Sequence, residues 1–342
     1  REYRPSSAAS PGTTRSFEST GVEVVVDSYF EHLPTAFYHL LNVEDTPLVV
    51  FTVRTNMRGI RRLRVISFIE GYTAKAVDTI EIKRGEPQTV KQLPSLFPRE
   101  IRDLHELTRA TLNIQVEDLD NGRILEHRTE GIWLLARTTA PRSVKDAVTG
   151  EITDFSPYLA AFVTPNEPSV MKFLRTVVRR HHQKRLQGYL GDVESQVQAI
   201  YDALKEDLDI AYVHSIVNFD LDAETRSQRI RLPSECIAGK MGNCIDATLL
   251  FASLLEGISL NPVVALVPGH AFVGWQTSPD GDTWQYLETT MLQTNSFFEA
   301  RREGTQRANN YRQRAEATGN EAWFKPLIIG QLRTQHNITP ME

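Results

Sequence analysis

The sequence predicts an α+β protein in which a β-rich half precedes a half of mixed helices and strands. Between residues 20 and 137, short runs of β-branched and aromatic residues alternate with turn residues, and no long helical pattern interrupts them. From residue 166 onward, apolar residues recur at helical spacing before strand-like runs return. The chain has 342 residues, 41% of them hydrophobic and 24% charged, which suits two globular domains.

The first domain is expected at residues 20–137, after a flexible polar lead-in at residues 1–19. "DNG" (120–122) predicts a hairpin turn between two strand-like runs. About six or seven such strands without a long helix favour an antiparallel β-sandwich of the immunoglobulin-like type. The predicted strands are "GVEVVVDSYF", "PLVVFTVRT", "RLRVISFIE", "AKAVDTIEI", "RATLNIQVED" and "RILEHRTEGIWLLAR".

Acidic and amide side chains surround the predicted hairpin turn at Asp118, Asp120 and Asn121. Carboxylates at this spacing could suggest a calcium loop. An EF-hand loop carries further ligands and a distal glutamate, which this stretch lacks. We therefore interpret these residues as turn formers and predict no metal site here.

The second domain is expected at residues 166–342, after a connector at residues 138–165. Two helical stretches lead to "CIDATLLFASLLEGI", which is apolar nearly all round and therefore predicts a buried central helix. This helix is expected to pack on an antiparallel sheet. The sheet comprises "NPVVALVP", "HAFVGWQ" and "TWQYLETTM", and the turn "SPDGD" joins the last two strands. A polar helix and a strand-like "KPLIIGQL" follow.

Charge and cysteine content narrow the function classes. The net charge of −5 gives no electrostatic reason to expect nucleic-acid binding, and the basic run "RTVVRRHHQKR" (175–185) is interpreted as a solvated helix face. No apolar run reaches the ~20 residues of a membrane span, so no membrane contact is expected. Cys236 and Cys244 fit neither a disulfide framework nor a zinc site, which favours a reducing, cytoplasmic compartment. The start at Arg1 suggests a fragment of a longer protein.

A cysteine and a histidine in the second domain form a candidate nucleophile and base. Gly242 and Asn243 suit a turn before a helix, which places Cys244 in the first helical turn. Unpaired N–H groups and the helix macrodipole favour an anion there, such as a thiolate. His270 starts a strand after Pro268-Gly269, and an imidazole beside a thiol is the usual activating partner.

Glu288 is the third member of this set. A hairpin register centred near residue 280 brings position 288 opposite residues close to 271, beside the histidine. A carboxylate there can orient the imidazole and stabilise its charged form. Each of the three residues has an ordinary structural explanation alone. Together, in this order, they predict a Cys-His-Glu triad.

The segments around these residues resemble the transglutaminase-like superfamily, which is related to the papain-type cysteine hydrolases. The similar stretches are "GNCIDATLLFASLLEGISLNPVVAL", "GHAFVGW" and "YLETT". "QRIRLPSE" (228–235) is similar to the segment before the cysteine in transglutaminase-like domains of large bacterial helicase-type proteins. The resemblance covers roughly residues 165–300. It implies a transglutaminase-like (papain-like) domain with no metal or organic cofactor.

Two positions depart from the family pattern. The acid is usually aspartate, and this chain has Glu288. Papain-type enzymes carry an oxyanion-hole glutamine six residues before the cysteine, and this chain has Ala238 there. The backbone N–H of Cys244 would then need another donor, for which Gln228 and Asn243 are the candidates. Asp246 is expected to have a structural role, facing helix-start amides or a neighbouring loop.

The resemblance implies acyl transfer on a protein or peptide substrate. Cys244 would attack a carbonyl, His270 would act as general base and then acid, and Glu288 would orient His270. Hydrolysis by a protease or amidase is preferred over transfer to an amine by a transamidase. The alternative is a catalytically silent transglutaminase-like binding module of a larger bacterial protein. The β-sandwich could dock a partner, and nucleic-acid binding is not expected for this chain alone.

Overall fold

The structure is a computed structural model that describes residues 13–17, 21–145, 150–214 and 227–341. It is a mixed protein of helices and several antiparallel sheets. The chain divides into two compact units, here called the N-terminal and the C-terminal unit. The N-terminal unit comprises Arg1–Thr139 and Ser143–Asp154, and the C-terminal unit comprises Ala140–Arg142 and Phe155–Glu342.

Among the described residues, two larger sheets build most of the N-terminal unit, and Ser143–Lys145 pairs with Ile152–Asp154 in a further small sheet. The other elements of this unit are β1 (Thr13–Phe17), β2 (Val22–Ser28), β3 (His32–Leu33), β4 (Val49–Thr55), β5 (Ile60–Ile69), β6 (Ala76–Lys83), β7 (Gln88–Gln92), α1 (Pro98–Arg102), β8 (Thr108–Asp118) and β9 (Arg123–Leu134). One of the two larger sheets has the order β1-β2-β4-β7 and is antiparallel throughout. The other has the order β3-β9-β8-β5-β6. In it β3 runs parallel to β9, so this sheet is mixed and not purely antiparallel as expected.

Burial alternates along the strands as a period of two requires. In β2, the side chains of Val22, Val24 and Val26 are buried while those between them are half-buried. The strand β7 was absent from the predicted set because "QTVKQ" contains one apolar residue. Because this segment has little strand propensity of its own, its hydrogen-bonded pairing with β4 is what stabilises β7 as a strand.

The side chain of Gln92 on β7 reaches the other larger sheet of the N-terminal unit. Its amide nitrogen donates to the carbonyl of Val65 on β5 at 3.1 Å, and its amide oxygen accepts from Ser67 at 2.7 Å. Gln92 and Ser67 are both buried, and a buried polar group is costly unless it is hydrogen-bonded. This reciprocal pair therefore fixes one sheet against the other.

The hairpin between β8 and β9 confirms the predicted turn. Gly122 has φ +70°, and its N–H donates to the carbonyl of Asp118 at 2.8 Å. The carboxylates of Asp118 and Asp120 accept from Arg61 at 3.2 Å and Arg62 at 3.0 Å. The two carboxylates thus bind arginines of the neighbouring strand β5 beside the turn, in agreement with their interpretation as turn residues.

Part of the expected lead-in is a strand. Thr13–Phe17 forms β1 and pairs with β2, whereas residues 1–12 and 18–19 of the lead-in lie outside the described residues. The expected connector also holds regular structure. It contains β10 (Thr139–Pro141), β11 (Ser143–Lys145), β12 (Ile152–Asp154) and a 3-10 helix at Ser156–Phe162.

The C-terminal unit carries the candidate site. Its helices are α2 (Pro168–Arg180), α3 (Val193–Asp202, continued by a π-helical turn at Ala203–Leu208), α4 (Pro233–Gly239), α5 (Cys244–Gly257), α6 (Phe297–Thr318) and α7 (Ile329–Gln335). Its strands are β13 (Ala211–Tyr212), β14 (Ser227–Arg229), β15 (Met241–Gly242), β16 (Pro262–Val267), β17 (His270–Gln276), β18 (Trp284–Leu287) and β19 (Lys325–Ile328). Short 3-10 helices lie at Gly188–Leu190, Thr289–Met291 and Glu321–Trp323.

The central helix α5 is buried as its composition predicts. Its residues from Cys244 to Leu255 are all buried, and α5 contacts β16, β17, α2 and α4. The sheet is antiparallel with the order β18-β17-β16-β19. The segment "KPLIIGQL" was expected as one strand, but the strand ends at Ile328 and α7 follows.

Two further expectations concern the surface. In α2, Arg175, Arg179 and Arg180 are exposed while Val177 is buried, so the helical part of the basic run is a solvated face. The helix ends at Arg180 and His181 is buried, so the expectation of one helix face over residues 175–185 is wrong for the rest of the run. No helix in the part of the chain that the structure describes combines the length and the apolar character needed to cross a membrane.

Candidate active site

A reciprocal capping box builds the start of α5. Asn243 is the N-cap, and its side-chain oxygen accepts from the N–H of Asp246 at 2.9 Å. The Asp246 carboxylate in turn accepts from the N–H of Asn243 at 3.0 Å. Cys244 is therefore the first helical residue, where N–H groups lack intrahelical partners, and it is only 2% exposed.

The carboxylate of Asp246 also holds the preceding segment against the helix. It accepts from the backbone N–H of Arg231 at 2.8 Å and from the guanidinium of Arg231 at 2.9 Å. Asp246 is fully buried, so its charge depends on these bonds. The predicted structural role of Asp246 is confirmed.

A tight turn positions His270. The strands β16 and β17 pair with Val267 opposite His270, which leaves Pro268-Gly269 as a two-residue turn. Gly269 has φ +71°, a conformation that favours glycine. Nε2 of His270 lies 2.7 Å from Oε2 of Glu288, and the Cys244 side chain lies close enough to the imidazole to raise its pKa. Since Nε2 faces the carboxylate, Nδ1 is the ring nitrogen left for the thiol.

The hairpin register places Glu288 beside this histidine. Val273 pairs with Leu287, which centres the hairpin on residue 280, and β18 ends one residue before Glu288. Oε1 of Glu288 accepts from the N–H of Thr290 at 3.1 Å and from its hydroxyl at 2.7 Å. Oε2 lies 3.4 Å from Nε of Arg307 on α6. Glu288 is 1% exposed. Both of its carboxylate oxygens have partners, as a buried charged group requires.

The three side chains are electrostatically coupled. Burial lowers the pKa of His270, but the hydrogen bonds to Cys244 and Glu288 and the charges of both groups outweigh it and raise this pKa to about 9. Burial raises the pKa of Glu288, but the bonds to His270 and Thr290 outweigh it and lower this pKa. At neutral pH the histidine is therefore an imidazolium beside a carboxylate.

This coupling predicts a pH-dependent stability. The pKa of His270 is about 9 in the folded protein against an ordinary 6.5, so its contribution is complete below pH 6.5 and is lost as pH rises through 9. We expect the loss of this contribution to lower the free energy of unfolding by up to about 3 kcal/mol as pH rises across that interval. Urea unfolding of wild type and His270→Gln at several pH values measures it. The difference between the two proteins should shrink as pH rises, and a constant difference would contradict the coupling.

The two oxyanion candidates have other bonds. The side-chain oxygen and the backbone N–H of Asn243 both serve the capping box. Gln228 is buried on β14, not solvent-facing, and its amide nitrogen donates to the carbonyl of Arg229 at 2.8 Å. The backbone N–H of Cys244 lies at the helix start beside the thiol, where it can donate to an oxyanion.

The second cysteine differs from Cys244 in its surroundings. Cys236 is fully buried in α4, and its sulfur lies 3.9 Å from the carbonyl of Arg231. Burial, and then the charge of Asp246, raises the pKa of the Cys236 thiol. Because a thiol with a raised pKa forms less of the reactive thiolate, Cys236 provides an internal control for tests of Cys244.

The structure brings four further residues to the site that the sequence reasoning did not identify. Arg307 comes from a helix 19 positions after Glu288, and local spacing gives no indication of it. Tyr212 lies near enough that the charges of Cys244 and Glu288 affect its pKa. The hydroxyl of Thr289 donates to the carbonyl of Cys244 at 3.4 Å. Only the bond from Thr290 to Glu288 could have been expected, because a side chain often accepts from the N–H two residues later.

Comparisons with known proteins add little to this geometry. No protein-family model matches the sequence, and no curated protein matches it. One solved structure with partial similarity is a FixG-related protein from Vibrio parahaemolyticus. It is 10% identical with a TM-score of 0.18, and the match covers 37% of this chain and 98% of that protein. A similarity this weak carries no argument about fold or function.

Proposed function

We propose that this protein is a cysteine hydrolase of the transglutaminase-like type, a protease or amidase that uses Cys244, His270 and Glu288. The observation that carries the proposal is the 2.7 Å contact between His270 and Glu288, together with a helix-start thiol close enough to the same imidazole to affect its pKa. Three sequence-distant groups lie together in this way, which is the arrangement of a nucleophile, a base and its orienting acid.

The mechanism follows from the charges at the site. The Cys244 thiolate attacks the carbonyl carbon, a C–S bond forms, and the oxyanion that develops accepts from the Cys244 N–H. The His270 imidazolium gives its proton to the leaving nitrogen as the C–N bond breaks. The neutral imidazole then takes a proton from water, which attacks the acyl carbon and releases the acid as the C–S bond breaks. Glu288 stabilises the charged imidazole throughout.

The proposal includes a transglutaminase-like fold for the C-terminal unit and an immunoglobulin-like fold for the N-terminal unit. A transglutaminase-like arrangement is supported by a buried helix with its cysteine at the start, packed on strands that carry the histidine and lead to the acid. An immunoglobulin-like sandwich is supported by the two larger sheets of the N-terminal unit and the Gln92 contact between them. The free thiols of Cys236 and Cys244 support a reducing, cytoplasmic location.

One observation favours the silent binding module as a second candidate. Cys244 is 2% exposed, so a substrate carbonyl reaches its sulfur only if neighbouring groups move.

Transfer of the acyl group to an amine uses the same first half-reaction. Hydrolysis is the preferred version because water needs no second binding site.

The alkylation of the two cysteines by iodoacetamide tests this proposal. We expect Cys244 to react below about pH 8.5, where an ordinary thiol is mostly protonated, and Cys236 not to react. Mass spectrometry of tryptic peptides separates the two sites. His270→Ala should move the reaction of Cys244 into the alkaline range. Equal profiles for Cys244 in wild type and His270→Ala would exclude an activated nucleophile in this state of the protein.

A further inference from the structure

Tyr212 occupies a position at the mouth of the candidate site. Its strand β13 pairs in parallel with β15, and Tyr212 lies opposite Gly242, two residues before Cys244. The side chain of Tyr212 is 40% exposed, a large fraction for an aromatic residue at this depth of the fold. The residue thus borders both the first turn of α5 and solvent.

The side chain of Tyr212 projects toward the first turn of α5. Residues that pair across neighbouring strands point their side chains to the same face of the sheet. The Tyr212 side chain therefore points to the face on which a Cβ at Gly242 would lie. That Cβ would lie 3.0 Å from Cβ of Asp246 in α5. Burial, and then the negative charges of Cys244 and Glu288, raises the pKa of the Tyr212 phenol, as this placement requires. The phenol is therefore neutral and beside the triad.

The backbone of Tyr212 has hydrogen-bonding capacity on its outer side. The N–H of Ala211 donates to the carbonyl of Lys240 at 2.8 Å, and that of Val213 donates to the carbonyl of Gly242 at 2.9 Å. Because backbone groups alternate in direction along a strand, the N–H and carbonyl of Tyr212 point away from β15. Among the described residues, therefore, no strand pairs with the outer edge of β13, which lies beside the segment that leads into α5.

We propose that Tyr212 is a specificity-determining residue that binds an extended peptide substrate. The peptide backbone pairs with the N–H and carbonyl of Tyr212, as in other complexes formed by strand addition. An apolar or aromatic side chain near the reacting carbonyl packs on the phenol ring, whose exposed face offers both contact area and a polar edge. This inference rests on the proposed function, because it assigns the substrate class of the same site. It selects a peptide over a small amide, which would not use a strand edge.

Two alkylating probes separate this inference from the proposed function. Iodoacetamide tests the thiol alone. Acetyl-Phe-Ala chloromethyl ketone presents a short peptide, and its reaction forms an S–C bond as the C–Cl bond breaks and chloride leaves. We compare the ratio of the two rates at Cys244 in wild type, Tyr212→Ala, Tyr212→Phe and Val213→Ala. Val213 is the matched control because it follows Tyr212 directly, just after the end of β13, and is similarly exposed at 37%.

We expect the ratio of peptide probe to iodoacetamide to fall roughly tenfold in Tyr212→Ala and to stay within about twofold in Tyr212→Phe and Val213→Ala. A probe methylated on the amide nitrogens of Phe and Ala should lose a similar factor on wild-type protein, because it cannot pair with the strand edge. An unchanged ratio in Tyr212→Ala, or an undiminished rate with the methylated probe, overturns the inference. If iodoacetamide itself fails to react with Cys244, the proposed function fails instead.

Discussion

Replacing Glu288 with glutamine is expected to raise the pH midpoint of Cys244 alkylation by roughly one to two units. The carboxylate accepts from His270 at 2.7 Å and its charge stabilises the imidazolium. A neutral amide of the same shape removes that charge, so the imidazole loses its proton more readily and the thiolate loses its counter-ion. On an amide or ester substrate we expect kcat/KM to fall about 10²–10⁴-fold, the range seen when a triad acid is neutralised.

Glu303→Gln is the control for this experiment. Glu303 on α6 accepts from Arg307 at 3.0 Å, as Glu288 does at 3.4 Å, but its side chain is 44% exposed and has no hydrogen bond to His270 among the described contacts. We expect its pH midpoint to match that of wild type within a few tenths of a unit. If the two variants give the same profile, then Glu288 acts only through general electrostatics and not as the orienting acid of His270.

Replacing Gly304 with alanine is expected to destabilise the protein by about 2 kcal/mol, although alanine is the better helix former. Gly304 lies inside α6 and is buried. A Cβ on it would lie 2.5–2.7 Å from the backbone N, Cα and C of Leu287 in β18. Backbone atoms cannot step aside, so α6 and β18 must separate. Glu288 follows Leu287 directly, and its N–H donates to Ala300 on α6 at 3.0 Å, so the triad acid should move as well.

Urea unfolding measures the stability effect, and the alkylation profile of Cys244 measures the displacement of Glu288. Asn309→Ala is the matched control, since Asn309 lies on the exposed side of the same helix. Helix propensity alone predicts a gain of about 0.5 kcal/mol there. A Gly304→Ala protein as stable as wild type, with an unchanged alkylation profile, would show that the close approach of α6 to β18 is not required.

Local sequence determined several features because their causes are local. Strands such as β2 and β5 show the period-two pattern directly, and the turn residues at 120–122 form the expected hairpin. The start of α5 follows from Asn243, whose side chain caps a helix within three residues. The register around residue 280 follows from a short loop, and it places Glu288 within reach of His270.

Other features have causes that lie far along the chain. The strand β7 has little propensity of its own and exists because β4 pairs with it. Local spacing would identify neither Arg307 behind Glu288 nor Tyr212 opposite Gly242, because helix docking and parallel strand pairing bring them there.

For this protein, the sequence by itself determined the two-part organisation, the central helix and the identity and order of Cys244, His270 and Glu288. Those inferences need only periodicity, turn chemistry and capping, which act over a few residues. Only the tertiary structure decided which residues hold the candidate triad in place and which residues lie around it. The buried carboxylates of Asp246 and Glu288 obtain their partners from Arg231 and from Arg307 on another helix, because burying a charge requires neighbours that only the folded chain supplies.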